Sequence, residues 1–91
     1  MSLPAAFQVA ITATATAQQL PSNLIMQSLV MLAAKSGNTA NIAIGTSSSV
    51  TATTGYLLES GNSAQINLHG GNTNELWIIG TAADVLSVLG N

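Results

Sequence analysis

Apolar and polar side chains trade places every second residue along much of this chain. Phe7, Val9, Ile11 and Ala13 alternate with Gln8, Ala10, Thr12 and Thr14, and Ile42 with Ile44 and Ile66 with Leu68 keep the same step of two. That step puts successive side chains on opposite faces of an extended strand, so each segment has one face to bury. Gly45, Gly55, Gly61, Gly70, Gly71 and Gly80 close the apolar segments where the chain has to turn. Strands are predicted over residues 7–13, 27–35, 40–45, 50–53, 55–58, 63–69, 76–80 and 84–89. The expected fold is all-β: a small antiparallel β-sandwich, jelly-roll-like, with about eight strands. Residues 1–6, with Pro4 unable to donate from its nitrogen, read as an N-terminal arm, and residues 7–91 as a single domain.

One segment carries two periodicities. Ile25, Leu29 and Leu32 have helical spacing between a capping Ser22 and a terminating Gly37, whereas Val30, Leu32 and Ala34 alternate with Leu29, Met31 and Ala33. Every segment after it reads as strand, so residues 27–35 are assigned as strand. Such a strand is apolar on both faces, and one small sandwich covers only one of them. Leu29, Met31 and Ala33 are therefore the expected contact between subunits.

Charge sharpens that expectation. Of 91 residues only Lys35, Glu59, Glu75 and Asp84 carry a firm charge, 4% of a chain that is 47% apolar, and the net charge is −2. A free domain usually keeps itself dispersed with about 25–35% charged surface residues, so either a rim of hydroxyls and amides solvates a monomer or, the favoured expectation, much of this surface is covered in an assembly. One Lys and no Arg cannot neutralise a series of phosphates, which argues against a nucleic-acid partner. No apolar run approaches the roughly 18 residues of a membrane span, and no basic stretch precedes an apolar one at the N-terminus. A cytoplasmic product, or one that leaves the cell only inside a particle, fits these features. Cysteine is absent, so thiolate chemistry and disulfides are too.

Candidate chemistry is sparse. His69-Gly-Gly-Asn72 is similar to the oxyanion-hole segments of some hydrolases, but the Gly-x-Ser-x-Gly elbow that such enzymes need is missing, and His69 as a polar cap at a hairpin end with Gly-Gly as its turn is the preferred reading. Glu59, Glu75 and Asp84 stand far apart in sequence and read as isolated, solvated carboxylates. With one His, a zinc site within the chain lacks ligands. No catalytic residue, metal or cofactor is expected. The serine-rich stretch 46–49 reads as a solvated connection. Tyr56 and Trp77 are the aromatics able to mark a partner surface, Tyr56 being the more exposed by position.

Taken together, Asn38-x-x-Asn41-Ile-x-Ile-Gly45, then Val50-Thr-x-Thr53-x-Gly55-x-x-Leu58-x-x-Gly61-x-Ser63, then Leu76-Trp-Ile-Ile-Gly80 and Asp84-Val-Leu-Ser-Val-Leu89, resemble the small β-sandwich capsid decoration, or cement, proteins of tailed bacteriophages. The likeness covers about residues 28–89. It implies a non-enzymatic virion structural protein on the outer surface of the capsid, a homotrimer that contacts the major capsid protein and stabilises the head. Leu3, Pro4 and Phe7 of the arm region, with Tyr56, are the candidate capsid or partner contacts. The competing expectation is a phage fibre or tail module that recognises a carbohydrate or other host-surface receptor through Tyr56, Trp77 and the Asn-rich loops.

Overall fold

The computed structural model describes residues 5–21 and 27–90, with their side chains apart from those at positions 5, 27, 28, 69 and 70. Leu3 and Pro4 of the expected arm, and the helix cap considered at Ser22, lie outside the described residues. Eight strands are formed: β1 (Ala5–Ala10), β2 (Gln18–Gln19), β3 (Gln27–Ala34), β4 (Ile42–Gly45), β5 (Tyr56–Leu58), β6 (Ser63–Gly71), β7 (Trp77–Ile79) and β8 (Val85–Gly90). The helical element among the described residues is a single 3-10 turn, Thr73–Glu75. The competing helical spacing around Leu29 gives way to β3, because both faces of an extended strand can be used here and the 2-residue period wins.

The strands depart from expectation in several places, among them β6, which runs on through Gly70 and Gly71 where a turn is expected. β1 starts at Ala5 and stops at Ala10, after which Ile11 stays buried while the chain turns through Ala15 at a φ of 59°. Gln18–Gln19 supplies a short strand that the small-residue run 12–17 gave no reason to expect. Residues 50–53 do not form a strand: Thr51 accepts from the Thr54 and Gly55 amides at 3.2 and 3.0 Å, which winds the segment into a turn.

Pairing follows one rule. β1 pairs with β8, β2 with β7, β3 with β6 and β4 with β5, all antiparallel, as in a long hairpin folded back on itself. Two more antiparallel pairings, β3 with β8 and β4 with β7, close the sheets in the orders β1-β8-β3-β6 and β2-β7-β4-β5. That is a jelly roll.

Between the sheets lies the core. Val9, Val30, Leu32, Ala34, Leu86 and Val88 from the first sheet meet Leu20, Ile42, Ile44, Leu58, Leu76 and Ile78 from the second or its flanks. Each is the inward half of an alternation, so the period that made the strands also selects the core. Burying a side chain of this size contributes about 1.5–3 kcal/mol. With few charges and no disulfide, these contacts are the main source of stability.

Candidate functional site

Register places the outward half of the alternation on the first sheet in rows. Ala6, Leu89, Met31 and Gln65 share one row, and Gln8, Ser87, Ala33 and Ser63 the next. Leu29 stands opposite Asn67 in the row beyond. Leu29 is 45% exposed, Met31 41% and Leu89 51%, and Ala33 is half-buried. The four strands contain no Asp, Glu, Lys or Arg. A shallow groove runs across the face between Ala6, Gln8, Met31, Ala33, Ser87 and Leu89, and Gln8 donates from Nε2 to the Ser87 hydroxyl at 3.4 Å within it. Uncharged, with Leu29, Met31 and Leu89 open to solvent among Gln8, Gln65, Asn67 and Ser87, this face suits a large partner surface.

Leu29, Met31 and Ala33 thus share one face, as β3 alone suggested. Leu89 is the residue that sequence reasoning missed. Its signal was present in Val85-Leu-Ser-Val-Leu89, where Leu86 and Val88 take the inward parity and leave Leu89 the outward one.

The second sheet solves the same problem differently. Its outward residues Ala43 and Ile79 are buried by the chain's own loop 46–55, which lays Val50 over them, with Trp77 and Ala17 packed alongside. Gly45 and Gly55 make this approach possible, since a Cβ at Gly45 would lie 2.5 Å from the Val50 Cβ and one at Gly55 2.8 Å from the Val50 Cγ2. Beside the loop an open groove of about 530 Å³ runs past Asn41, Ala43, Ala52, Leu57 and Ile79.

Tyr56 is 65% exposed. It does not join Trp77 in an aromatic platform: Tyr56 is in register with Ile44 and Trp77 with the next residue, Gly45, so the two belong to opposite faces. Phe7, in register with Val88, is half-buried against the core. Of the expected capsid or partner contacts among the described residues, Phe7 is half-buried and Tyr56 is exposed.

The three carboxylates are engaged separately. Glu75 reaches back to the Asn72 N–H at 2.8 Å and completes a capping box on the 3-10 turn. Glu59 accepts weakly from the Asn62 side chain at 3.5 Å. Asp84, expected to be solvated, is instead buried at 4% exposure. Its Oδ1 accepts from the Thr39 N–H at 2.9 Å, its Oδ2 from the Ala40 N–H at 3.1 Å, and the Thr39 hydroxyl donates to the same carboxylate. The Thr39 and Ala40 amides and the Thr39 hydroxyl hold its pKa below the ordinary carboxylate value, against the opposing effect of burial. Next to it the Asn38 side chain donates to the Val85 carbonyl at 2.9 Å and accepts from the Val85 N–H at 3.0 Å, as a neighbouring strand would. This arrangement ties the turn after β3 to the start of β8. Among the described residues no group of three or more His, Cys, Asp or Glu side chains converges.

No protein-family model matches the sequence, and no curated protein matches it. Among solved structures, a chain from Bacillus endospore appendages, described as forming a novel family of disulfide-linked pili, is similar over all of this chain and 90% of its own, at 21% identity and a TM-score of 0.43. The present chain contains no cysteine.

Proposed function

We propose that this is a non-enzymatic structural protein of a tailed-phage virion, a capsid decoration protein that lies on the outer surface of the head as a homotrimer and cements the major capsid protein. The observation that supports this reading is the uncharged outer face of the β1-β8-β3-β6 sheet, with Leu29, Met31 and Leu89 open to solvent. A cement protein acts by adding buried area across junctions between shell subunits, and many identical copies multiply a modest contact. That mechanism needs a broad apolar face and no reactive groups. The receptor-binding alternative draws less support, because Tyr56 and Trp77 take opposite faces of their sheet. Adding the purified chain to phage heads that lack it, followed by imaging, tests the proposal. Density over the shell and heads that survive higher temperature are expected; density confined to the tail, or none, overturns it.

A further inference from the structure

We infer that the segment 46–55 is a hinged lid, one that lifts as a unit from the outer face of the second sheet while both sheets stay paired, and so gates the groove beside it. The segment contributes no strand to either sheet. Its hydrogen bonds are local: the Val50 N–H donates to the Ser47 carbonyl at 3.2 Å, the Thr54 and Gly55 N–H groups donate to the Thr51 carbonyl at 3.2 and 3.0 Å, and the Thr51 and Thr54 hydroxyls share a bond of 2.9 Å. All of these survive a displacement of the segment as a whole.

One side chain holds it down. Val50 is buried, whereas residues 46–49 and 51–54 on either side of it are exposed, so the lid has a single latch, pressed on Ala43 and Ile79. Gly45 just before the segment and Gly55 at its end have no side chain with which to anchor it, and small residues at such positions often absorb the dihedral changes of a hinge.

Beneath the lid runs a continuous apolar row. Leu57 pairs with Ala43, and Ala43 with Ile79, across β5, β4 and β7. Leu57 is exposed and lines the open groove together with Thr51 and Ala52 of the lid, while Val50 covers the rest of the row. Lifting the lid therefore removes one wall of the groove and adds the covered part of the row to it. That opening uncovers a few side chains, whereas global unfolding uncovers the whole core between the sheets. A segment with so few buried contacts belongs to the low-stability end of a molecule, where local opening precedes global unfolding.

Because the chain has no cysteine, a single thiol can report on each place. Ala43→Cys puts one under the lid and Ala34→Cys puts one in the core between the sheets, both at buried alanines. With dithionitrobenzoate, Ala43→Cys should label on the order of a hundredfold faster than Ala34→Cys, at a rate that does not change with urea below the unfolding transition. Adding Val50→Ala should speed it about ten- to thirtyfold, the effect of two buried methyl groups lost. Equal rates and equal urea dependence at the two thiols, or labelling of Ala43→Cys as fast as that of Thr53→Cys at an exposed position, overturns the inference. In the parent chain thermolysin, which cuts before bulky apolar residues, should cleave the bond between Ser49 and Val50 at a rate equally flat in urea; a bond that stays intact until global unfolding overturns the inference as well. None of these outcomes bears on the outer face of the first sheet, on which the proposed function rests.

Discussion

Asp84 shows how a lone polar residue shapes this small fold. Its carboxylate receives the Thr39 and Ala40 amides, so neutralising it weakens two charge-assisted hydrogen bonds and removing it takes away their acceptor. The folded-state pKa is lowered, so the stabilisation is fully present above the unfolded value of about 3.9 and is lost as pH falls through the folded value. Asp84→Asn should lower the urea midpoint at neutral pH and flatten its decline in acid; equal acid sensitivity in variant and parent would disprove the assignment. Backbone strain is the other residue-scale feature. Ala83 has a φ of 75° and is held there by its N–H bond to the Ile11 carbonyl at 2.9 Å. Left-handed backbone costs a side-chain-bearing residue roughly 1–2 kcal/mol, and glycine's extra freedom when unfolded returns part of that, so Ala83→Gly should stabilise by about 0.5 kcal/mol in chemical denaturation.

At the scale of elements, the loop 46–55 behaves as part of the core. Val50 covers Ala43 and Ile79 and packs near Trp77. Truncating it removes two methyl groups from a buried contact, so Val50→Ala should cost about 2 kcal/mol of stability. Trp77, the chain's single tryptophan, reports on the same site, and its fluorescence should shift to longer wavelength as water enters; an unchanged spectrum would show that the loop is not a lid. The alternation in Val50-Thr-Ala-Thr53 reads as a strand, but only Val50 finds apolar partners, and the hydroxyls of Thr51 and Thr54 bond to each other and to the turn amides instead. Local pattern therefore misassigned a segment whose state is decided by a contact across the sheet. The same limit hid Asp84, whose partners lie 44 and 45 residues away, and β2, where Gln18–Gln19 has no apolar period. β3, β4, β6 and β8 were legible because each has enough alternating apolar mass to specify its own buried face. The jelly-roll order was legible only in outline, since strand count and turns bound a topology without fixing which strands pair.

On the whole molecule the two sheets leave unequal surfaces, and the inequality points to assembly. The second sheet buries Ala43 and Ile79 under its own loop but leaves Leu57 of the same row open, whereas the first leaves Leu29, Met31 and Leu89 open. No charge in its four strands discourages association, and in the proposed assembly this is the face that is covered. Met31 is the residue with which to test this. It occupies a row with Ala6, Leu89 and Gln65, near the middle of the face, and its exposure leaves room for a longer, charged side chain in the separate chain. Surface substitutions of that kind usually change stability by less than about 0.5 kcal/mol, so Met31→Lys should fold as the parent does. In a dry contact the same ammonium would lose its hydration with no carboxylate on the face to pair with, at a cost of several kcal/mol. The variant should therefore keep its denaturation midpoint but fall to a smaller species in light scattering and fail to bind heads. Leu89→Lys, one strand away in the same row, should do likewise. Variants that assemble and bind as the parent does would show that this face is not the covered one.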